Sequence, residues 1–273
     1  MPYANNIADF WDLTGQQPLN KKILVEGDSW VSHPQLWNLT GQFEDLGERA
    51  FNLLNLGVPG DTAARVIRKG TDQFDTMEQL LSSTRYGDKF DMVMLSAAGN
   101  DIVGPEILGY VDRKTDNPGY GRALINQSYY DMLALIRKDY EGFLAMRDRY
   151  ALNRNTPVIT QVYSYLTPRK LGTNIFGRVF TKGWIAVHLE TLGIFDEAEW
   201  IDIAAGLLDG FYDEMSKISA KRFLVADTRK VLSKGGKPDV SLWHDEMHPT
   251  SAGFRKVAKK IRDSAVDKKL WPK

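Results

Sequence analysis

Apolar positions along this 273-residue chain fall into short, nearly continuous runs and longer, interrupted ones. Five short runs, Ile23–Glu26, Ala50–Leu56, Met92–Ala97, Val158–Tyr163 and Phe223–Ala226, are rich in β-branched and aliphatic residues and do not alternate strictly with polar ones. Strands covered by helices on both faces need that character, so the runs predict a parallel sheet. Between them, Thr62–Lys69, Asp72–Leu81, Gln127–Tyr150, Ile203–Arg222 and Ser251–Val266 carry apolar residues at helical spacing. In the longest of these, Leu133, Ile136, Tyr140, Phe143 and Leu144 form a stripe suited to packing on a sheet. Parallel strands require crossover connections, which are right-handed, so the alternation predicts a three-layer α/β/α sandwich around a five-stranded, mainly parallel, flavodoxin-like sheet.

Two regions break the alternation. Residues 103–125 are rich in Gly, Pro and Tyr, and residues 164–200 hold several glycines and scattered aromatics, among them Phe176, Phe180 and Trp184. Each follows the carboxyl end of an expected strand, the edge at which open α/β sheets bind ligands. They read either as substrate walls or a lid, or as surface excursions that fill out the fold. No internal repeat, low-complexity tract or linker divides the chain, so residues 1–273 are expected to form one domain with these two insertions.

Composition changes the picture mainly by exclusion. Hydrophobic residues make up 43% of the chain, enough for a substantial core. The 35 Lys and Arg balance the 35 Asp and Glu, leaving no overall field to attract nucleic acid or an anionic bilayer. The basic stretch Arg255, Lys256, Lys259 and Lys260 falls on one side of a helix whose other side is Val257, Ile261 and Val266, and a solvated face accounts for it. There is no cysteine, which removes disulfides, thiolate metal sites and cysteine nucleophiles together and fits a reducing compartment. The first fifteen residues do not read as a secretory signal, and no apolar run approaches the roughly 20 residues of a membrane span. The expectation is a cytoplasmic protein with no nucleic-acid or membrane partner; oligomeric state is not legible.

Four short motifs carry candidate chemistry. Gly27-Asp28-Ser29-Trp30 stands where the first strand ends, which poises Ser29 above the sheet, although Gly-Asp-Ser is also an ordinary turn or helix cap. Asp245-Glu246-Met247-His248-Pro249-Thr250-Ser251 lies near the other end of the chain. A serine hydroxyl is a poor nucleophile at neutral pH and needs an imidazole to take its proton and a carboxylate to orient that imidazole; His248 and Asp245 can supply both from one turn. The competing readings are a solvated acidic leader to a Pro-initiated helix, or a metal pair of His244 and His248. Pro249 is expected at the first helical position, which leaves His244 outside the helix and disfavours the metal pair. Ala98-Gly99-Asn100-Asp101 and Asn55-Leu56-Gly57-Val58-Pro59-Gly60-Asp61-Thr62 each follow a strand, and an Asn amide and a glycine N–H are suitable donors to an oxyanion. Both also read as common turn and helix-start compositions.

The four motifs in this order resemble the SGNH hydrolase superfamily (GDSL-like esterases, lipases and acetylesterases), through Gly27-Asp28-Ser29, Gly60, Gly99-Asn100-Asp101 and Asp245-x-x-His248. The resemblance spans residues 21 to about 255. It implies that Ser29 is the nucleophile, His248 its base and Asp245 the residue that orients the imidazole. Ser29 N–H, Gly60 N–H and the Asn100 side chain would form the oxyanion hole. Gly57 competes for the glycine role, and Gly60 is preferred because it immediately precedes Asp61-Thr62. The implied activity is hydrolysis of a short acyl or O-acetyl ester, on a small molecule or a carbohydrate, with no metal or organic cofactor. An acyltransferase using the same residues, and a ligand-binding protein that has lost turnover, are the alternatives. One departure stands out: Trp30 occupies the position after the serine where the family commonly has Leu, and it either narrows the acyl pocket or packs on the sheet. Glu26 is unusual at a buried strand end, where it either pairs with a cation or joins a polar network beneath the site. His33, His188 and His244 are expected to be packing or surface histidines.

Overall fold

A computed structural model describes residues 3–47, 50–82, 89–170, 174–175, 178–179 and 183–272. The five expected strands form at Lys21–Gly27 (β1), Phe51–Asn55 (β2), Met92–Ser96 (β3), Val158–Val162 (β4) and Phe223–Asp227 (β5). They pair in the order β2-β1-β3-β4-β5, every neighbour parallel, which is the flavodoxin-like arrangement the pattern predicts. β2, β3 and β4 are buried along their whole length, as their continuous apolar runs require. β5 departs from that picture: four of its five residues are only half-buried, because its edge is left open, whereas β2, the other edge, is covered by the bridge from Ala4 to Leu54 and by the helix Ile7–Gln16.

The connecting helices fall into two layers. Leu39–Leu46 and Ser251–Asp267 pack together on one face, and Ala63–Ile67, Asp72–Ser82, Gln127–Arg149 and Glu197–Met215 pack together on the other. The stripe on the long helix is core: Leu133, Ile136, Tyr140, Phe143 and Leu144 are all buried. On the Ser251–Asp267 helix Val257 and Ile261 are buried as expected, but Val266 is half exposed and Ala265 takes its place. The buried side chains join into one core on both faces of the sheet. Among the described residues, no helix is long and apolar enough to cross a membrane.

The expected helix Ile203–Arg222 occurs as Glu197–Met215, begun by Asp196, whose side chain accepts the Ala198 N–H at 2.9 Å. The predicted helix start at Pro249 is likewise displaced. Pro249 pairs with Trp243 in an isolated bridge, and Thr250 caps the helix by accepting the Gly253 N–H at 3.2 Å, so the first helical residue is Ser251. Within the two insertions the chain forms short pieces: a helix at Ile107–Tyr110, a 3₁₀ turn at Gly121–Leu124, a hairpin pairing Asn174–Ile175 with Arg178–Val179, and a helix at Ala186–Thr191. Phe176 and Phe180 lie outside the described residues.

Candidate active site

β1, β2 and β3 deliver three of the four motifs to the carboxyl edge of the sheet. At the end of β1 the chain turns through Gly27, whose φ of +149° and contact with the Ser96 carbonyl leave no space for a Cβ. Asp28 then caps a single helical turn, Ser29–Ser32, by accepting the Trp30 N–H at 2.9 Å. That turn presents Ser29 at the cavity, and its N–H, which as the first of a helical turn has no intrahelical partner, has none among the described residues.

Asp28 is buried and held from several sides. It accepts the Tyr163 hydroxyl at 2.5 Å and the Ser96 hydroxyl at 3.2 Å, and the Tyr163 oxygen in turn accepts the Gly99 N–H at 2.9 Å. Burial pushes the Asp28 carboxyl up to about 6, opposed by these hydrogen bonds and by His248. Beneath it, Glu26 has no cation partner among the described residues. One carboxyl oxygen accepts the Gly27 N–H at 2.9 Å and the other is buried without a partner. Burial, reinforced by nearby Asp61, pushes Glu26 up to about 8, so it belongs to a polar layer beneath the turn and is protonated at neutral pH.

The histidine loop arrives from the far end of the chain. His248 Nε2 lies 2.7 Å from Ser29 Oγ, and His248 Nδ1 lies 2.8 and 3.0 Å from the two oxygens of Asp245. Asp245 also accepts the backbone N–H groups of Met247 at 2.9 Å and His248 at 2.7 Å, so one carboxylate fixes both the ring and the loop that carries it. With Nδ1 donating to Asp245, Nε2 is left as the acceptor facing the serine hydroxyl. Trp30 links the two loops directly, its indole N–H donating to the Met247 carbonyl at 3.0 Å. Its ring packs edge-on against Tyr163, Phe254 and Trp243 and is buried, so it packs and does not line the open cavity.

The remaining two motifs are stitched to each other. The Asn100 amide donates to the Asp61 carbonyl at 2.9 Å, and Asp101 accepts the Ala63 N–H at 2.7 Å; burial pushes Asp101 up to about 6. The turn that carries Asn100 starts at Ala98, a non-glycine residue held at a φ of +96°. Gly57 and Gly60 are distinguished by their surroundings. Gly57 N–H is committed to Asn55 at 3.0 Å, and a side chain there would strike Val31 and the Gly27 carbonyl. Gly60, at a φ of +89°, lines the cavity, and its N–H has no partner among the described residues.

Ser29, Gly60, Asn100 and His248 meet at a cavity of about 240 Å³, whose other walls are His33, Pro34, Pro59, Trp184 and Met247. A larger hollow of about 610 Å³, lined by residues such as Glu141, Asp148, Arg154 and Lys221, lies at the opposite end of the strands. Its lining holds no serine–histidine pair, whereas the smaller cavity brings Ser29 and His248 together. Among the described residues no group of three or more His, Asp or Glu could hold a metal ion.

Sequence reading missed two contributors, His33 and Glu246, and left a third, Trp184, open between substrate wall and surface excursion. His33 is buried beside the base, its ring centroid 5.0 Å from that of His248. Trp184, from the second insertion, forms one wall and meets His248 edge-on at 6.5 Å. Glu246 is not a solvated leader: it is fully buried and accepts backbone N–H groups from Arg169 at 2.8 Å, Ile185 at 2.9 Å, Ala186 at 3.0 Å and also Trp184. Burial raises its pKa in spite of these donors. Glu246 therefore ties the second insertion to the histidine loop, and that insertion forms part of the cavity wall. His188 lies apart from the cavity lining.

No family model and no curated protein matches the chain. Solved structures similar to it include a carbohydrate acetylesterase family member from Sinorhizobium meliloti, at 13% identity and a TM-score of 0.48, over 92% of this chain and 98% of that one. A member of the lipolytic G-D-S-L family from Veillonella parvula aligns at 14% identity and a TM-score of 0.48, over 90% and 97%. An aryl esterase from M. smegmatis aligns at 15% identity and a TM-score of 0.47, over 92% and 100%. Likenesses at these values carry no argument about activity, and the site stands on its own geometry.

Proposed function

We propose that this chain is a serine hydrolase of the SGNH type that cleaves a carboxylic ester through an acyl-enzyme on Ser29. The observation that carries the reading is the continuous hydrogen-bonded chain Ser29–His248–Asp245 beside a cavity bordered by two uncommitted N–H groups and a side-chain amide.

The steps follow from the atoms in place. As Ser29 Oγ attacks the ester carbonyl, its proton passes to His248 Nε2, and the resulting imidazolium is stabilised by Asp245. Negative charge builds on the former carbonyl oxygen, which Ser29 N–H, Gly60 N–H and the Asn100 amide are disposed to receive. His248 then gives its proton to the departing alcohol, leaving the acyl group on Ser29. Water enters the same position and attacks the acyl carbonyl while losing a proton to His248, which returns that proton to Ser29 Oγ as the Ser29–acyl bond breaks and the acid leaves. None of these steps draws on a metal or organic cofactor. Walls of Pro34, Pro59, Trp184 and Met247 favour a small, uncharged ester, such as an acetyl or other short acyl group on a small molecule or carbohydrate. We propose a cytoplasmic setting with no nucleic-acid or membrane partner, which the balanced charge and absence of cysteine support.

The test is hydrolysis of short p-nitrophenyl esters by the wild type and by Ser29→Ala. The reading expects turnover that the substitution abolishes while circular dichroism and thermal melting remain those of a folded protein. An acyltransferase would use the same residues, and adding a competing alcohol and analysing the products separates the two outcomes.

A further inference from the structure

His33 has no part in the steps above, yet its ring is one wall of the same cavity. Its Nδ1 accepts the backbone N–H of Gln35 at 3.2 Å, so in the neutral imidazole the proton must sit on Nε2. That nitrogen has no hydrogen-bond partner among the described residues. The groups around the ring keep it neutral: burial and His248 lower its pKa, His244 does the same, and only Asp245 opposes them, leaving it at about 4. The His244 ring lies 6.0 Å away and the His248 ring 5.0 Å. His33 thus offers a neutral donor apart from the three assigned to the carbonyl oxygen, within walls that are otherwise largely apolar.

The side of the cavity it borders follows from the proposed chemistry, on which this inference rests. The carbonyl oxygen faces Ser29 N–H, Gly60 N–H and Asn100, whereas the departing alcohol oxygen must come within about 3 Å of His248 Nε2 to collect its proton. Packed against His248, His33 borders the alcohol side. We propose that His33 is a specificity residue whose Nε2–H donates a hydrogen bond to an oxygen on the alcohol portion of the ester. It selects alcohols with a hydroxyl or ether oxygen on the carbon next to the ester-bearing one, as in polyols and sugars, over plain alkyl alcohols.

Two acetate esters of equal length test this directly. In 2-methoxyethyl acetate an ether oxygen replaces one CH₂ of butyl acetate. The ratio of kcat/KM for the two esters is measured in the wild type and in His33→Phe, which keeps a flat ring in the wall and removes the donor. The ratio is expected to fall about tenfold in His33→Phe, the scale of one neutral hydrogen bond, and to fall less in His33→Gln, which retains an N–H. An unchanged ratio in His33→Phe overturns the proposal and leaves the esterase reading intact. Failure of the wild type to hydrolyse either ester, with no labelling of Ser29 by a fluorophosphonate, overturns that reading and this one with it. A ¹⁵N spectrum of the wild-type imidazoles gives a check free of folding effects. His33 is expected as the neutral Nε2–H tautomer between pH 6 and 8, and a cationic or Nδ1–H ring there overturns the proposal.

Discussion

The two loops that meet at the serine oxygen are held in place by different means. The nucleophile turn continues directly from a central strand: Gly27 is pressed against β3, and Asp28 is locked by Tyr163, Ser96 and its own cap to Trp30. The histidine loop pairs with no strand of the main sheet among the described residues, and two buried carboxylates gather most of its side-chain hydrogen bonds. Asp245 gathers the imidazole and two N–H groups of its own loop, and Glu246 gathers four from the second insertion. Position is thus imposed by the sheet on one side of the reaction and by side-chain charge on the other. The histidine side should accordingly be the more sensitive to single polar substitutions remote from the chemistry.

The largest effects are expected where the two loops touch. Ser29→Ala and His248→Ala should each lower kcat by about 10⁴-fold or more with the fold retained, read by ester kinetics beside thermal melting. Asp245→Asn should cost less than His248→Ala, because the amide still accepts backbone N–H groups while mispairing the ring, and a reversed order would identify a different orienting acid. Asn100→Ala should lower kcat by about 10²–10³-fold with little change in KM, as for loss of one oxyanion donor.

Substitutions that leave the reacting atoms in place sharpen the comparison. Glu246→Gln keeps the size of the side chain but strips charge from four N–H groups, and it should destabilise by about 1–3 kcal/mol and lower kcat, since the loop it anchors carries the base. Trp30→Phe removes the indole hydrogen bond to Met247, leaving the one between Ser29 and His248, and keeps a buried ring. It should cost about 1 kcal/mol in chemical denaturation and a correspondingly small loss of kcat. If Trp30→Phe proved the more damaging of the two, the histidine loop would owe its position to the nucleophile turn and not to the insertion.

The smallest effect concerns stability against pH. Glu26 is raised to about 8 and Asp28 and Asp101 to about 6, so the folded protein holds protons that the unfolded chain has released. Their contribution is fully present below about pH 4 and is lost as pH rises through 6 to 8. Glu26→Gln should therefore flatten the decline in melting temperature between pH 5 and 8, and an identical pH profile in that variant would show that Glu26 is ionised in the fold.

The same asymmetry explains what could be read from the residues alone. Strands buried on both faces must be continuously apolar, so their number, order and the motifs at their ends are visible in sequence. β5 misled only in degree, because an edge strand can carry the same composition while half exposed. The start of the Glu197–Met215 helix was signalled by Asp196 as a cap, a weaker mark than the apolar stripe from Ile203 onward. Trp184 was marked only as part of an insertion at the binding edge; Glu246 and His33 left no mark, since their roles arise from partners tens to hundreds of residues distant, and an acidic residue three positions before a proline looks the same whether solvated or buried.

Treatment of the intact protein with a fluorophosphonate, followed by mapping of the modified residue, asks whether Ser29 is the nucleophile. A single adduct on Ser29, lost in His248→Ala, is expected. An adduct on another residue, or labelling of Ser29 undiminished without His248, would contradict that assignment.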